Sequence, residues 1–441
     1  MAEAKEGLNR SMGVWAGISV VIGTVIGSGI FFKQAQVLET AGGSTAAVLA
    51  WVVGGLITLA GGLTISEIGS RIPYTGGIYI YIERIYGKFF GFLAGWAQVF
   101  FYAPAIVGSL AAYFGVLFVN FFGLPLGATK WVALAAITLI SLMNMLDNRV
   151  PSAFSMVTTF IKLLPIVAIL IYGLFYGRVD ALGQTVNAVS QHGGNFGTAV
   201  LATLFAYDGW ATLTNMGGEI KNPGKNMPRA IVGGILIVLL AYAGIAFGMM
   251  KAMPANEIVK LGDNATYAVV IKAFGDFGGR ALSLAILISI AGTLNGKMLA
   301  MPRMMYAMAE HRFLPRILMK VNRFKEPVVS ILVLALLAGV LLFTISADWL
   351  SNLCIFVIWI FYTATFIGLF ILRYREKRAG FQQQPAEFVV PLYPIIPLVA
   401  ILGALFIIIS TMITNPWSSL GSICLVLIGI PVYMLIQKRQ R

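Results

Sequence analysis

Residues 19–32 read SVVIGTVIGSGIFF, and this stretch decides the fold. It lies in an apolar segment, 13–36, that is long enough to cross a membrane. It also holds Gly23, Gly27 and Gly29, and each glycine costs a helix about 1 kcal/mol relative to alanine. The glycines allow either close packing by a neighbouring helix or an interruption whose freed N–H groups face a cavity, where non-helical backbone is tolerated. We favour the interruption, so the stretch predicts a broken membrane helix.

The composition of the whole chain agrees with a membrane protein. The 441 residues are 59% hydrophobic and 11% charged, with a mean hydropathy of +0.87. Soluble domains are about 45–50% apolar and about 25% charged, so a compact soluble fold is excluded, and so is a disordered chain. The 48 glycines follow no three-residue period, which excludes collagen. The composition therefore predicts an all-α polytopic membrane protein.

Further apolar segments predict eleven more membrane helices. About 20 apolar residues are needed for one crossing, and an even number of crossings places both termini on the same side. The twelve predicted spans are 13–36, 44–70, 89–119, 129–147, 151–176, 195–217, 229–252, 278–308, 328–346, 349–372, 393–414 and 417–437.

The basic residues between these spans predict the orientation. With the termini in the cytoplasm, 22 Lys and Arg fall on the inside and 7 on the outside, as the positive-inside rule requires. The net charge of +14 is spread over short loops without a continuous basic stripe, so we expect no nucleic-acid partner. The polar N-terminus, MAEAKEGLNRSMG, does not resemble a cleaved signal peptide.

A second interruption is predicted in span six, where residues 204–210 read LFAYDGW. A charge near the bilayer centre costs at least about 2.5 kcal/mol, so Asp208 should face the interior of the helix bundle. Either Asp208 satisfies backbone donors at the break, or it belongs to a functional site.

The two interruptions lie five spans apart and predict an internal repeat. The first half covers 13–176, the second covers 195–372, and two appended helices cover 393–437. Because five is odd, the second half enters the membrane from the opposite side, which gives a five-plus-five inverted repeat in one transmembrane domain. Paired interruptions at equivalent positions of two halves indicate the substrate site of a transporter.

Four motifs carry a resemblance to a known family. They are IGTVIGSGIF (22–31), FAYDGW (205–210), GEIKNPGKNMPRAI (218–231) and GTLNGKMLAMPRMMYAMAEHRFLP (292–315). With these motifs the chain resembles the L-amino acid transporter branch of the amino acid–polyamine–organocation superfamily. The resemblance implies a bacterial counterpart of the light subunits of heteromeric amino acid transporters. It implies the superfamily fold with helices 1 and 6 unwound, and an exchanger in the cell membrane that works by alternating access.

Some partners and chemistries are not expected. The light subunits of animals carry a cysteine between spans three and four, but loop 119–130 has none, so no disulfide-linked heavy chain is expected. Cys354 and Cys424 lie in apolar runs, and with only His192 and His311 beside them we expect no metal site and no cofactor. The chain has no HExxH motif and no Ser/His/Asp set within the membrane, which argues against an enzyme.

The interrupted helices suggest how an amino acid zwitterion would bind. The outer half of span one begins near residues 27–29, and free N–H groups at a helix N-terminus bind a carboxylate. Carbonyls that end the inner half near 23–25, and those at 205–206, would accept from the ammonium. The resemblance implies Val25, Gly27, Ser28, Gly29 and Phe205 as principal contacts, with Phe205 also an aromatic gate. The full predicted set is Gly23, Thr24, Val25, Ile26, Gly27, Ser28, Gly29, Phe205, Ala206, Tyr207 and Asp208.

The side chain of Asp208 bears on the choice of substrate. Relatives often have glycine there, so the extra volume favours small neutral amino acids such as alanine, serine and cysteine. A cationic substrate is the main alternative, because an unpaired Asp208 would hold a second ammonium. Proton-coupled uptake also stays open.

Lys162 lies well inside span five. Snorkelling of its ammonium to the interface is one interpretation. In the other, the ammonium replaces the cation of sodium-coupled relatives and bridges carbonyls around Gly23 to span eight near Ser289. The resemblance supports this second role, which implies sodium-independent transport.

Overall fold

The computed structural model describes residues 10, 12–147, 149–186, 196–345, 347–378, 388–414 and 416–440. Within these residues the chain is almost entirely helical, and its strand-like features are three isolated bridges. The α-helices are α1 (Val14–Val25), α2 (Gly29–Phe32), α3 (Gln34–Ala41), α4 (Ser44–Arg71), α5 (Ile78–Tyr86), α6 (Lys88–Ala97), α7 (Ala103–Phe122), α8 (Thr129–Asn144), α9 (Arg149–Tyr176), α10 (Phe196–Ala206), α11 (Pro223–Ala252), α12 (Ala255–Leu261), α13 (Ala265–Glu310), α14 (Val328–Thr344), α15 (Ala347–Arg378), α16 (Ile395–Thr414) and α17 (Pro416–Gln440).

Each of the twelve predicted spans coincides with helix in the described part of the chain. Nine helical stretches are long and apolar enough to cross a membrane, and α1 and α14 are shorter apolar helices. The remaining span is α10, which has 11 residues. The fold class, an all-α polytopic membrane protein, is therefore confirmed. The division into two inverted halves stays a prediction.

Span one is interrupted, as its glycines predict. Helix α1 ends at Val25, Ile26 is extended with ψ 94°, and α2 begins at Gly29. A bend at Lys33 separates α2 from α3, so the outer half of the span continues to Ala41, beyond the predicted end. Gly29 also provides close packing, because a Cβ there would lie 2.9 Å from Cα of Ala206. Both interpretations of the glycine pattern are thus realised.

Span six is interrupted where its acidic residue lies. Helix α10 ends at Ala206, a turn comes next, and a 3-10 helix then runs over Trp210–Asn215. Gly209 has a φ of 118°, which a residue with a Cβ rarely adopts. The two interruptions are in contact, because the hydroxyl of Thr24 donates to the carbonyl of Gly209 at 3.0 Å.

Span three changes its helical form in the middle. Residues Gln98–Tyr102 form a π-helix between α6 and α7. Such turns contain one extra residue relative to an α-helical path and are frequent at functional sites. Tyr102, the last residue of this segment, is 2% exposed.

The broken segments lie at the centre of the helix bundle. Helix α1 packs against α9, α11 and α13, and residues 20–30 are all buried. Side chains of these three helices therefore surround the unwound backbone.

Candidate functional site

The outer side of the break in span one presents backbone donors. Gly27 and Ser28 lie between the two half-helices, and Gly29 is the first residue of α2. The first amides of a helix have no acceptor within it, and that end carries partial positive charge. All three residues are buried. This arrangement suits a carboxylate.

The inner side of the break presents carbonyl acceptors, and Lys162 binds two of them. Its Nζ donates to the carbonyls of Gly23 at 2.9 Å and Ile26 at 2.7 Å, and to Oγ1 of Thr293 at 3.2 Å. These contacts use all three protons of the ammonium. Lys162 is 0% exposed, so snorkelling to the interface is excluded.

The hydroxyl beside Lys162 is not the one that the sequence indicated. Thr293 contacts the ammonium, whereas Ser289, one turn earlier on α13, donates to the carbonyl of Ile26 at 3.2 Å. Thr293 donates to the same carbonyl at 2.8 Å. Lys162 therefore contacts both α1, through the carbonyl of Gly23, and α13, through Thr293. Ser289 contacts the carbonyl of Ile26 and not the ammonium.

Asp208 is paired, whereas the prediction of a cationic substrate required it to be unpaired. Its Oδ2 accepts from the hydroxyl of Tyr102 at 2.8 Å and lies 3.4 Å from Nζ of Lys297. Lys297 in turn donates to the hydroxyl of Tyr102 at 2.9 Å. The side chains of Lys297 and Asp208 are 1% and 3% exposed. Their opposite charges compensate each other, so the buried pair is nearly neutral. Asp208 Oδ1 has no hydrogen-bond partner among the described residues.

A tyrosine of α11 joins both interruptions. The hydroxyl of Tyr242 lies 3.0 Å from the carbonyl of Ala206 and 3.2 Å from that of Val25. A phenol has one proton and can donate fully to only one of them. The other carbonyl keeps a free lone pair for a ligand.

The remaining predicted residues have varied surroundings. Tyr207 directs its hydroxyl to the carbonyl of Trp51 on α4, at 2.9 Å and away from the break. Phe205 is half-buried, and Nζ of Lys33 lies 5.5 Å from its ring centroid. The structure thus brings the backbone of the two breaks together at one buried centre, but it does not direct the hydroxyl of Tyr207 there.

Sequence reasoning missed Lys297, Tyr102, Thr293 and Tyr242. A signal existed for Lys297, since a lysine in one span and an aspartate in another must find partners in a membrane. The other three gave none, because a threonine hydroxyl in an apolar helix usually satisfies the helix's own carbonyl, and a single intramembrane tyrosine does not reveal which distant group its hydroxyl reaches.

Comparison with known proteins identifies the class. A sequence model of the amino acid permease family matches residues 12–434, so the chain belongs to this family, within the amino acid–polyamine–organocation superfamily. It is a multi-pass membrane protein that transports amino acids and is not an enzyme.

Three individual transporters are similar in sequence to this chain over almost its whole length. The chain is 44% identical over 440 residues to the serine/threonine exchanger SteT of Bacillus subtilis (strain 168), covering 98% of both chains. It is 28% identical over 444 residues to the cystine/glutamate transporter of Homo sapiens, covering 98% of this chain and 86% of that one. A b(0,+)-type amino acid transporter 1 of Mus musculus is 28% identical over 444 residues, covering 97% and 88%.

Proposed function

We propose that the protein is a sodium-independent exchanger of small neutral L-amino acids, with alanine, serine and cysteine as substrates, working by alternating access. The observation that carries the proposal is the meeting of two interrupted helices at one buried centre. The name of the relative SteT, a serine/threonine exchanger, supports exchange and a small polar substrate.

The broken ends account for recognition of the zwitterion. The substrate carboxylate accepts from the amides of Gly27, Ser28 and Gly29 at the start of α2. The ammonium donates to whichever carbonyl Tyr242 leaves free, that of Val25 or that of Ala206. Neither charge then needs a charged side chain, so the site is selective for the backbone that all α-amino acids share.

The pair formed by Asp208 and Lys297 favours a neutral substrate side chain. Lys297 already balances the carboxylate, and a second ammonium brought near it would meet like charge. The unpartnered Oδ1 of Asp208 offers a hydrogen bond to a hydroxyl or thiol. Serine and cysteine carry such groups, and alanine is small enough to leave room for water.

Lys162 supports independence from sodium. Its ammonium already uses the carbonyls of Gly23 and Ile26, oxygen ligands of the kind that alkali cations take in transporters. A sodium ion placed there would have to displace a charge that is hydrogen-bonded three times. The loop charges further support cytoplasmic termini in a bacterial plasma membrane, and we expect no disulfide-linked heavy chain.

Counterflow in proteoliposomes tests the proposal. Vesicles loaded with unlabelled L-serine should accumulate labelled L-serine far faster than empty vesicles, equally in sodium and in choline buffers. Unlabelled alanine, serine and cysteine should compete, whereas lysine and arginine should not. Uptake into empty vesicles driven by a pH gradient would instead establish proton-coupled transport, and a strict sodium requirement would overturn the role of Lys162.

A further inference from the structure

A cavity of about 680 Å³ lies on the far side of α2 from the cytoplasmic ends that the loop charges predict. Phe31 and Phe32 of α2 line it, together with the end of α7 and the first part of α13. Ile286 lines it as well, three residues before Ser289, which contacts the carbonyl of Ile26. The cavity therefore shares a wall with the buried centre at which the two interruptions meet.

Polar side chains without protein partners face this cavity. In the part of the chain that the structure describes, Asn120, Asn264 and Arg280 line it, and none of the three has a hydrogen-bond or ion-pair partner. Asn264 occupies the N-cap position of α13 but makes no capping hydrogen bond with its side chain. Such a residue normally caps its helix, so its amide is available to a ligand.

The charge of this lining is positive. Arg280 is the one charged residue among the described lining residues, and its guanidinium offers a planar fork that matches a carboxylate. Phe31 and Tyr267 add aromatic faces, which attract an ammonium or cover an apolar side chain. Pockets of roughly 300–1,000 Å³ with a few convergent polar groups are typical of small-molecule sites.

We propose that this cavity is a second, outer binding site, which takes the carboxylate of an L-amino acid before the substrate reaches the buried centre. The inference rests on the proposed function and its orientation. Arg280 and the two asparagine amides bind the carboxylate, and Phe31 separates this site from the amides of α2. A lipid phosphate offers the same anionic chemistry, so the two ligands must be separated by experiment.

The first experiment measures uptake of external L-serine by cells that express Arg280→Gln. The apparent KM should rise about three- to tenfold at low salt with the maximal rate unchanged, because the variant loses a charge-assisted hydrogen bond to the carboxylate. The difference should shrink in 1 M salt, where the Debye length is about 3 Å. Lys272→Gln, which removes an exposed charge of the same helix outside the lining, is the matched control. Equal KM values for the two variants would overturn the proposal.

The second experiment detects occupancy directly. Ser283, in the lining, is changed to cysteine in a protein with Cys354→Ser and Cys424→Ser, and Gly27→Val with Gly29→Val inactivates the buried centre. L-Serine should slow modification of the new thiol in neutral-lipid nanodiscs, and L-serinamide, which lacks the carboxylate, should not. Arg280→Gln should abolish the protection.

Two outcomes contradict the inference. Protection of the thiol by anionic lipid with no effect of L-serine would assign the cavity to a lipid headgroup. Protection by neither ligand would mean that the cavity holds no binding site. The KM comparison does not need the double glycine variant, so it stands even if that variant fails to fold. Failure of the proposed function has a different signature, since the unmodified protein would then show no exchange.

Discussion

Lys162 and Lys297 are both buried in the membrane, but the groups that they contact differ in charge. The described partners of Lys162 are neutral oxygens, namely two backbone carbonyls and one hydroxyl. Lys297 faces the carboxylate of Asp208. A buried charge is costly unless it is paired and hydrogen-bonded, so removal of the two lysines should have different consequences.

For Lys162→Ala we expect a large loss of exchange with little change in substrate affinity. The amides of α2 and the carbonyl ends remain, so binding persists, but the ammonium of α9 that joins the carbonyls of Gly23 and Ile26 to Thr293 of α13 is lost. In the alternating-access mechanism that we propose, this contact contributes to the balance between inward- and outward-facing states. We expect the exchange rate to fall roughly tenfold or more, as measured on purified protein beside equilibrium binding. Lys320→Ala, a variant of an exposed-loop lysine, is the control, and normal exchange in Lys162→Ala would rule out the bridge.

For Lys297→Met we expect a loss of stability that a second change restores. Methionine fills the space but leaves Asp208 as an uncompensated buried charge, which costs about 3–5 kcal/mol. Adding Asp208→Asn removes that charge, so the double variant should recover most of the loss. Thermal unfolding in detergent measures both. A double variant as unstable as the single one would mean that the two side chains are not coupled.

Among the helices, α2 and α10 approach each other at a single glycine. A Cβ on Gly29 would meet the backbone of Ala206 at 2.9 Å, and backbone cannot move aside cheaply. A Cβ on Gly27 would meet Thr293 at an ordinary 3.4 Å. The two glycines therefore differ, since a Cβ at Gly29 would clash with the backbone of α10 and a Cβ at Gly27 would not clash.

Replacement of both Gly27 and Gly29 by valine should abolish transport while the protein stays in the membrane. The branched side chains would occupy the place where a carboxylate meets the amides. Gly29→Ala alone should also lower the thermal stability, and Gly27→Ala, whose Cβ makes ordinary contacts, should not. Gly421→Val, on α17 where a Cβ has open space, is the control. Normal counterflow in the double variant would mean that the substrate binds elsewhere.

Helix α5 and the end of α13 are joined by a histidine, His311, whose pKa is raised. Nδ1 of His311 lies 2.9 Å from Oε2 of Glu83 and 2.9 Å from the hydroxyl of Tyr79. The hydrogen bond to Glu83 raises the pKa of His311 above its ordinary value of 6.5. Burial opposes this increase, Glu310 adds to it and Arg84 reduces it.

This contact should make stability depend on pH. Because the pKa of His311 is raised in the folded protein, its contribution is complete below pH 6.5 and is lost as the pH rises through the raised pKa. The unfolding temperature of the unmodified protein should therefore exceed that of His311→Gln at pH 5.5 and approach it at high pH. Glu83→Gln should reduce this dependence, and parallel curves for all three proteins would contradict it.

At the scale of the whole molecule, hydropathy predicted the twelve apolar spans and their order, because burial in lipid requires long apolar segments. Gly275, with a φ of 70°, divides α13 into two helical stretches, and the predicted span 278–308 matches the second of them, whereas the first stretch from Ala265 was not predicted. The glycines and Asp208 located the two breaks. The contacts of Thr293 and Tyr102 depend on helix rotation and helical form, which one sequence does not reveal.

The excess of basic residues in one set of loops leads to a prediction of topology. In protein with Cys354→Ser and Cys424→Ser, a cysteine at position 130 should react with a membrane-impermeant reagent in intact cells. A cysteine at position 320 should react only after permeabilisation. Both positions are exposed and lie near helix ends, so both thiols are accessible. The reverse pattern would place the termini outside.

The π-helix of span three determines the direction in which the side chain of Tyr102 points. Each residue turns an α-helix by roughly 100°, and the extra residue accommodated in Gln98–Tyr102 offsets α7 from α6 by about that angle. Deletion of one residue there would rotate α7 relative to α6 and carry the phenol away from Asp208, although no amino acid that touches Asp208 had been replaced. The direction of the Tyr102 side chain thus depends on the number of residues in span three, which a point substitution does not change.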